Sequence, residues 1–396
     1  MAQQVLVYRL TGSASALGIV SFMVVVPLVP FALWGGSLSD RVSKRKLLLI
    51  TQSLMLLQSI VLGVLTWTGT VEIWHVYVMA FLLGTFKAVD MPARQSYVVE
   101  MVEGKADLTS AIGLNSAIHN SARTLGPALA GVIIAMMGEA VAFFLNGLSF
   151  LAVIISLLLM TDLPRVLTKQ ESSPIVAHTI AGVKYVLGQQ TLLILMSLIA
   201  VSSFLSRPYQ TLMPVFSNIT LKESAQPIVA ILCNGTKSFV LNCRAPEALP
   251  LGMLLSAVGL GAILGAFLVA SLPEHAPRGR MLTVGNLAFP FLLLVFVNSH
   301  SMVLSLVVMV LVGLSHVFQN AMANTLLQLT SPDHLRGRVM SLYSLVSHGM
   351  HHLGGLQAGF VADWIGAPLS VGLGAGVSLI YGLFVAFRYR EVRNLA

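Results

Sequence analysis

The 396-residue chain has few charged residues and few cysteines. Charged side chains make up only 10% of it, whereas they make up about a quarter of an ordinary soluble domain. This shortage argues against a soluble globular protein, because a surface in water carries most of a protein's ionised groups. The two cysteines, Cys233 and Cys243, are too few for a disulfide framework. They share one polar segment, where they could form a single disulfide or remain two thiols.

Two further absences limit the chemistry of the chain. It contains no Gly-x-x-x-x-Gly-Lys-Ser/Thr loop for nucleotide phosphates, which excludes ATP hydrolysis by that route. It also contains no convincing pair of a nucleophile and a base, so we expect neither enzymatic activity nor a cofactor. The formal net charge is +8, but the cations lie scattered in short segments and form no basic domain for nucleic acid.

What the chain has in excess is apolar sequence. Hydrophobic residues make up 56% of it and form many runs of the roughly 20 residues that a membrane-spanning helix needs. Each run should be a helix, because backbone amides in hydrocarbon must be paired within the segment. We therefore predict an all-α polytopic membrane protein embedded in the lipid bilayer. Its predicted spans are 15–37, 46–67, 73–91, 109–137, 140–160, 191–216, 249–271, 281–298, 302–327, 340–364 and 367–387.

Lysine and arginine are unevenly distributed over the predicted connections. Every second connection between the predicted spans is rich in cations, whereas the connections on the other side of the membrane hold only Lys222, Lys237 and Arg244. Since cytoplasmic loops are enriched in Lys and Arg, we expect the cation-rich set and the C-terminus on the cytoplasmic side of the inner membrane. The cation-rich set consists of Arg41, Lys44, Arg45, Lys46, Lys105, Arg165, Lys169, Lys184, Arg278, Arg280, Arg336, Arg338, Arg388, Arg390 and Arg393.

The longest cytoplasmic connection divides the chain into two parts. We expect an N-terminal helix bundle over 1–160, a cytoplasmic linker over 161–190 and a C-terminal bundle over 191–396. The C-terminal bundle should carry an external loop at 217–248 that holds both cysteines. The second half of the linker, 180–187, could form an amphipathic helix on the membrane surface.

An internal repeat supports this division. The segment 84–95 matches 313–324, and further along Gly126 and Gly131 match Gly354 and Gly359 at the same spacing. Collinear matches of this kind indicate two homologous halves related by an axis along the membrane normal.

The stretch "GGSLSDRVSKRK" (35–46) resembles the signature between the second and third helices of the major facilitator superfamily. The stretches "DMPARQ" (90–95) and "LRGRVMSLY" (335–343) are similar to the drug and siderophore exporter branch, which includes enterobactin exporters and macrolide efflux proteins. The resemblance implies the major facilitator fold, with two six-helix bundles related by a pseudo-twofold axis. Members begin with a complete first helix, so we expect the first helix, ending near residue 10, to be truncated here.

The same resemblance implies a role for the turn at 35–46. Gly36, Asp40 and Arg41 would form a conformational latch that holds the cytoplasmic ends of the two halves together in the outward-open state. The simpler reading is that the turn only orients and anchors the chain at the anionic leaflet. For the basic residues Lys44, Arg45 and Lys46 that simpler reading is the better one.

Ionisable residues inside spans are costly and are candidates for function. Lys87, Asp90 and Arg94 share one helical face, where Asp90 can pair with both cations. They are our candidates for proton coupling, although paired charges could equally be structural. Gly126, Pro127, Gly131, Gly354 and Gly359 are predicted to allow close helix packing, mainly because glycine lets backbones approach.

Polar residues at helical spacing predict a central substrate cavity. Histidines at i, i+3 and i+4 on the predicted span 340–364 could line that cavity, relay protons or hold a metal; without a nearby carboxylate or cysteine we expect no metal. The cavity residues are Asn115, His119, Arg123, His316, Gln319, Asn320, Asn324, His348 and His351.

These features together predict a secondary transporter, active as a monomer. It would export a small amphipathic molecule, drug-like or siderophore-like, by alternating access and antiport with protons. The low charge of the predicted cavity favours neutral or zwitterionic cargo. Two alternatives stay open: a flippase for lysophospholipids, and a membrane sensor or subunit that does not transport.

Overall fold

The computed structural model describes residues 1–27, 43–101, 122, 125–160, 183–234, 243–273 and 276–395. Over these residues the chain is helical and has no strand. The helices are α1 (Ala2–Thr11), α2 (Ala14–Val25), α3 (Lys44–Trp67), α4 (Ile73–Glu100), α5 (Leu125–Met137), α6 (Glu139–Leu159), α7 (Gln190–Thr220), α8 (Lys222–Asn234), α9 (Ala248–Ala270), α10 (Arg278–Val297), α11 (Met302–Thr330), α12 (Asp333–Ile365) and α13 (Ala367–Arg388).

Apolar length explains this architecture. Eight of the described helices are long and apolar enough to cross a membrane, and α2 and α5 are shorter apolar helices over the residues described. Ten of the eleven predicted spans overlap one of these helices, and the remaining span, 340–364, lies on α12, which is helical but is not among them. The prediction of an all-α polytopic membrane protein is confirmed.

The two bundles repeat the same packing. In the N-terminal bundle α3 lies against α4 and α6, and in the C-terminal bundle α10 lies against α11 and α13 in the same way. Gly138 and Gly366 occupy equivalent places in the repeat, as one-residue turns between α5 and α6 and between α12 and α13. Their φ angles of 84° and 87° lie where a side chain would be strained, so glycine is required at both turns.

Basic residues at the ends of helices support the bundles. Arg45 at the start of α3 donates from Nε to the carbonyl of Leu157 at 2.8 Å and from Nη2 to that of Leu158 at 3.0 Å. These carbonyls end α6, where the helix leaves its last acceptors unpaired and a cation is favourable. Part of the basic turn after α2 therefore has a structural role as a cap on a neighbouring helix.

The predicted external loop at 217–248 needs correction. The helix of α7 continues to Thr220, and α8 covers Lys222–Asn234, so the first part of this segment is helical. Apolar residues explain the difference, because Cys233 packs with Ala135 and Leu249 in a small buried cluster. Cys243 then returns to Cys233, and the two form a disulfide with an S–S distance of 1.99 Å.

Most of the predicted linker, 161–182, lies outside the described residues. Its end forms a short helical segment at 183–188 before α7 begins. Val186 in this segment is buried and belongs to the same apolar cluster as Leu192 and Leu195 of α7. The end of the linker is thus held against the C-terminal bundle.

Candidate transport pathway between the two halves

The two halves meet along α2 and α12, which lie side by side. A Cβ atom placed on Gly18 of α2 would lie 2.7 Å from the backbone oxygen of Gly355 on α12. A Cβ atom on Gly359 would lie 2.6 Å from the backbone oxygen of Ala14. Both distances are too short for a real side chain, so the backbones approach closely only because glycine stands at these positions.

Asp363 near the end of α12 caps the N-terminus of α2 across the boundary. Its Oδ1 accepts from the backbone N–H of Ala14 at 2.8 Å, and its Oδ2 accepts from the N–H of Ser15 at 3.0 Å and from Oγ of Ser13 at 2.8 Å. The first N–H groups of a helix have no partner within the helix and carry partial positive charge. A carboxylate from the other half therefore satisfies them.

A second cap joins the C-terminus of α5 to the other half. The carbonyl oxygen of Ala135 accepts from the backbone N–H groups of Arg244 at 2.6 Å and Ala245 at 3.0 Å. These two residues directly follow Cys243, whose disulfide to Cys233 links this segment to α8. Both cross-boundary caps lie at the same end of the helices as Gly138 and Gly366, which we call the closed end.

The exposure of α4 changes along one helical face. Val76 and Ala80, near the closed end, are buried. Lys87 and Arg94 follow at spacings of seven residues, which keeps them on the same face, yet both are exposed. The face that is covered near the closed end is therefore uncovered toward the other end, which we call the open end.

Helix α12 of the other half shows the same change. Gly359 and Gly355 are buried, whereas His348 and Ser344, at successive spacings of seven and four residues, are exposed. Over the described residues, these faces of α4 and α12 are thus covered near the closed end and exposed toward the open end. The polar residues of α4 and α12 lie on the exposed part.

Asp90 is the centre of a buried network rather than an open group. It is 5% exposed and accepts hydrogen bonds from Thr51 Oγ1 at 2.8 Å, Gln52 Nε2 at 2.7 Å and Arg94 Nη2 at 2.8 Å. Of the two predicted cationic partners, Arg94 pairs with it, while the described structure gives Lys87 no hydrogen bond to it. Thr51 and Gln52 on α3 could not be found from the spacing on α4.

The histidines of α12 lie at the boundary of the two halves. Nδ1 of His352 is 2.8 Å from Oγ of Ser21 on α2, and its ring centroid is 5.1 Å from that of His351. His348 donates from Nδ1 to the carbonyl of Ser344 at 3.0 Å, which leaves its Nε2 as the other polar atom. Over the described residues no three His, Cys, Asp or Glu side chains converge as metal ligands.

Arg207 on α7 belongs to this region and was missed in the sequence. It follows a π-helical turn, Ser202–Ser206, and its backbone N–H bonds to the carbonyl of Ser202 at 3.0 Å. Its Nη1 donates to the carbonyl and to Oγ of Ser347 on α12, both at 3.2 Å. Single π-turns occur frequently at functional sites because they re-aim the following side chain. One arginine inside a 31-residue apolar helix was the signal available.

The polar stripe on α11 is only partly as predicted. His316 is buried, and its ring lies 4.9 Å from that of Phe289, while Asn320 donates to the His316 carbonyl at 2.8 Å. Asn324 is half-buried and accepts a hydrogen bond from Gln328, one turn nearer the open end.

Gln319 does not line the pathway in this conformation. It is 3% exposed, its Nε2 donates to Oδ1 of Asn286 at 2.7 Å, and its Oε1 accepts from Oγ of Ser202 at 3.2 Å. Both ends of the amide are thus used inside the C-terminal bundle. The prediction grouped it with the other polar residues of this span, whereas its partners lie on α10 and α7.

The predicted packing residues have different roles. Gly131 approaches the other half, since a Cβ on it would lie 3.0 Å from Cα of Gly252 on α9, and a Cβ on Gly252 would lie 2.9 Å from the carbonyl oxygen of Pro127. Gly354 packs inside its own bundle, against the Phe204 carbonyl of the π-turn. A Cβ on Gly126 would meet no atom of the described residues within 4 Å.

Several predicted residues lie outside the described part of the chain. They are Gly36, Asp40 and Arg41 of the proposed latch and Asn115, His119 and Arg123 of the proposed cavity.

Known proteins resemble the chain over most of its length. It is 26% identical over 359 residues to the staphyloferrin A transporter of Staphylococcus aureus, covering 89% of this chain and 82% of that relative. It is 24% identical over 368 residues to the multidrug efflux pump Tap of Mycolicibacterium fortuitum, covering 91% and 84%.

Solved structures share the fold at low sequence identity. The nucleoside transporter NupG aligns with a TM-score of 0.76 and 11% identity over 98% of this chain and 93% of that one. A variant of the peptide transporter POT aligns with a TM-score of 0.67 and 15% identity over 100% and 92%. The profile of the Major Facilitator Superfamily matches residues 1–355 and, in a second alignment, 245–395. The family resemblance is thereby confirmed, and the chain belongs to the major facilitator superfamily.

Proposed function

We propose that the protein exports a small amphipathic molecule by alternating access between its two halves. The observation that carries the proposal is the change of exposure along α4 and α12, from buried at the closed end to exposed at the open end. A pathway closed at one end and open at the other is one of the two states that alternating access requires. Similarity to the staphyloferrin A transporter and to the multidrug efflux pump Tap supports small-molecule cargo.

The distribution of cations supports an orientation for this state. Arg336 and Arg338 begin α12 at the open end, and Lys44 and Arg45 begin α3 at the same end. Since cytoplasmic ends are enriched in Lys and Arg, we place the open end and the C-terminus in the cytoplasm. The closed end with its disulfide would then face the oxidising exterior, where disulfides persist. The conformation would be the one that takes up cargo for export.

Asp90 is our candidate for coupling to protons. Oδ1 accepts from Thr51 and Gln52 and Oδ2 accepts from Arg94, so a proton taken up on Oδ2 would remove the negative charge that holds Arg94. Arg94 is the donor with the most freedom, since 55% of its side chain is exposed. We propose that Arg94 swings away when Asp90 is protonated and that this change favours one of the two states. Lys87 would compete for the same carboxylate during the cycle.

The proposed latch completes this scheme at the cytoplasmic end. Asp40 and Arg41 would join the two halves there in the outward-open state, when the caps at the closed end are broken. Asp40→Asn should then impair transport while expression stays normal, and unchanged flux in that variant would rule the latch out.

Reconstituted vesicles test the proposed function. With an acidic lumen, protein-containing vesicles should accumulate members of a panel of dyes and antibiotics, and nigericin should abolish the accumulation. Protein-free vesicles provide the background. Accumulation that survives collapse of the pH gradient would contradict proton antiport. If no member of the panel moves but a fluorescent lysophospholipid crosses the bilayer, the flippase alternative is correct; if neither moves, the protein is not a transporter of these classes.

A further inference from the structure

A cavity of about 320 Å³ lies at the closed end, and residues of both halves form its walls. The N-terminal half supplies the ends of α1 and α3 and the turn between α5 and α6, and the C-terminal half supplies residues 244, 245 and 247. Its volume is at the lower end of the range of small-molecule sites. Trp67, Arg244 and Glu247 are exposed, so the cavity can be reached from the protein surface. The residues to which the transport proposal assigns a role do not line it.

Glu139, the first residue of α6, is a buried carboxylate in the wall of this cavity. It is 5% exposed, and its Oε1 lies 2.9 Å from Nε of Arg9 on α1. This ion pair is not a hydrogen bond, since Oε1 has no hydrogen-bond donor in the part of the chain that the structure describes. Buried carboxylates normally accept hydrogen bonds, because burial without a donor is costly. Glu139 therefore lacks a donor that a ligand can supply.

The position of Glu139 in its helix explains only part of this arrangement. A carboxylate in the first turn is favourable because the N-terminus of a helix carries partial positive charge. That interaction accounts for an acidic residue here, but it does not account for a side chain buried beside a cavity without a donor. Oε2, unlike Oε1, is not among the fully buried atoms, so it is the oxygen that a ligand can reach. An ammonium group carries three donors and would satisfy it.

The other half supplies charge of both signs to the cavity. Arg244 and Glu247 line it, and within the described residues neither side chain has a hydrogen bond or an ion pair. The backbone N–H of Arg244 bonds to the Ala135 carbonyl at 2.6 Å, which fixes this residue next to the turn between α5 and α6. With Arg9 and Glu139, the cavity is lined by two cations and two anions. A ligand with charge of one sign would face like charge, whereas a zwitterion finds a partner for each of its groups.

We propose that this cavity binds a small zwitterion of the amino-acid class, with its ammonium group at Glu139 and its carboxylate at Arg244. The planar guanidinium matches a carboxylate in shape and donates charge-assisted hydrogen bonds. Trp67 lies in the same wall, where its indole packs against the apolar part of the ligand. The two charged partners belong to different halves, so the bound ligand joins α6 to the segment before α9. The site therefore stabilises the closed end.

Binding to the purified full-length protein in lipid nanodiscs tests the proposal. Isothermal titration would compare phenylalanine with phenethylamine, which lacks the carboxylate, and with 3-phenylpropionate, which lacks the ammonium group. Leucine, 3-methylbutylamine and 4-methylpentanoate form a second series. In at least one series the amino acid should bind roughly tenfold or more tightly than both analogues, because each analogue loses one charge-assisted contact. If neither series shows this preference, the proposal is wrong.

Variants then assign the two charges of the ligand. Glu139→Gln should weaken binding of the amino acid to about the level of the carboxylate analogue, and Arg244→Gln should weaken it to about the level of the amine. Glu223→Gln, which changes an exposed carboxylate of α8, is the matched control and should leave the Kd unchanged. Arg244 is exposed, so its variant serves even if Glu139→Gln does not fold. Equal Kd values for wild type and Arg244→Gln would refute the assigned geometry.

Hydrogen exchange tests the effect on the closed end. The N–H groups of Arg244 and Ala245 bond to the Ala135 carbonyl, so their exchange requires this contact between the halves to open. A ligand that binds only the closed arrangement, at 100 times its Kd, should slow that exchange by up to roughly a hundredfold. Exchange in the segment 183–188, at the open end, is the internal control. Unchanged exchange at Arg244 and Ala245 with ligand bound would show that the ligand does not hold the halves together.

These outcomes are independent of transport. Selective binding of the amino acid with slowed exchange would support the inference even if vesicles show no gradient-driven accumulation. Gradient-driven accumulation without selective binding would support the proposed function and refute the inference.

Discussion

At the residue scale, two buried or capping carboxylates, Asp90 and Asp363, bond to partners on a neighbouring helix or in the other half. Asp90 is bonded to two residues of α3, and Asp363 is bonded to the first turn of α2. In hydrocarbon such partners replace water, so each polar group is only as stable as the contact that satisfies it. Substitutions at these residues should therefore lower stability by leaving their hydrogen-bond partners unsatisfied.

Asp90→Asn should lower stability and uncouple transport. The amide turns one acceptor into a donor, which faces Gln52 or Arg94 and leaves a donor unsatisfied, at a cost of about 1–3 kcal/mol. We expect a lower Tm in detergent and loss of proton-driven accumulation, with downhill exchange retained. Glu391→Gln, an exposed carboxylate after α13, is the control and should change neither. Retained accumulation in Asp90→Asn would make Asp90 purely structural.

Asp363→Ala should weaken the closed end. It removes the cap on α2, and a lost N-cap costs about 0.5–2 kcal/mol, or up to roughly thirtyfold in the balance between the two states. Spin labels at the ends of α2 and α12 should report longer distances at the closed end. Asp363→Asn should have a smaller effect, because asparagine keeps one cap acceptor. An unchanged distance distribution in Asp363→Ala would show that the cap does not control closure.

At the element scale, the glycines of α12 differ in the helix that they pack against. Gly359 contacts α2 of the other half, whereas Gly354 contacts α7 of its own bundle, and a Cβ on Gly349 would meet no atom of the described residues within 4 Å. Helix α12 therefore uses one surface to complete its bundle and another to close the pathway.

Substitution by alanine tests this separation. Gly359→Ala should force α2 and α12 apart, because its Cβ would lie 2.6 Å from the Ala14 backbone oxygen, and shift the protein toward the outward-open state. Gly354→Ala should instead lower Tm and yield. Gly349→Ala should be close to wild type in both. Cysteine accessibility at the closed end, measured alongside thermal melting, distinguishes the three; equal behaviour of Gly359→Ala and Gly349→Ala would refute the assignment.

The disulfide should also act on closure more than on folding. Cys233 and Cys243 are ten residues apart, and the bond holds the segment whose N–H groups cap α5. Removing it with a reductant, or with Cys233→Ser and Cys243→Ser together, should loosen that cap and open the closed end. We expect greater accessibility of a label near Ala135 with a small change in Tm. A large loss of Tm without any change in accessibility would show that the bond serves folding alone.

At the scale of the whole molecule, the cation-rich ends of the helices lie at the open end. Ser341 of α12 is exposed at the open end, and Thr70, between α3 and α4, is exposed at the closed end. With the two native cysteines joined, an introduced cysteine is the reactive thiol of the chain.

Single cysteines at these positions test the proposed orientation. Ser341→Cys should react with a membrane-impermeant thiol reagent only from the cytoplasmic side, and Thr70→Cys only from the outside. The two variants are controls for each other, since both residues are exposed. Labelling with the opposite sidedness would invert the proposed orientation and turn the observed state into an outward-open one.

The candidate pathway could be predicted only in part. The spacing on α4 identified the ion pair of Asp90 and Arg94, because residues four apart meet on a helix. Thr51, Gln52 and Asp363 were not predicted, since their partners are distant in sequence and meet only through packing. Arg207 was overlooked although it stands alone in an apolar run, and Gln319 was assigned to the wrong surroundings because its helix face borders both the pathway and α10.

Local sequence determined the spanning helices, the glycine turns between them and the division into two related halves. These properties depend on apolar length, on backbone freedom and on repetition, all of which can be recognised along the chain. The tertiary structure decided which end is closed, which glycines let the two halves approach, and which helices supply the partners of Asp90 and Asp363. Those properties depend on contacts between residues hundreds of positions apart, where small differences in packing select one of two arrangements of the same helices.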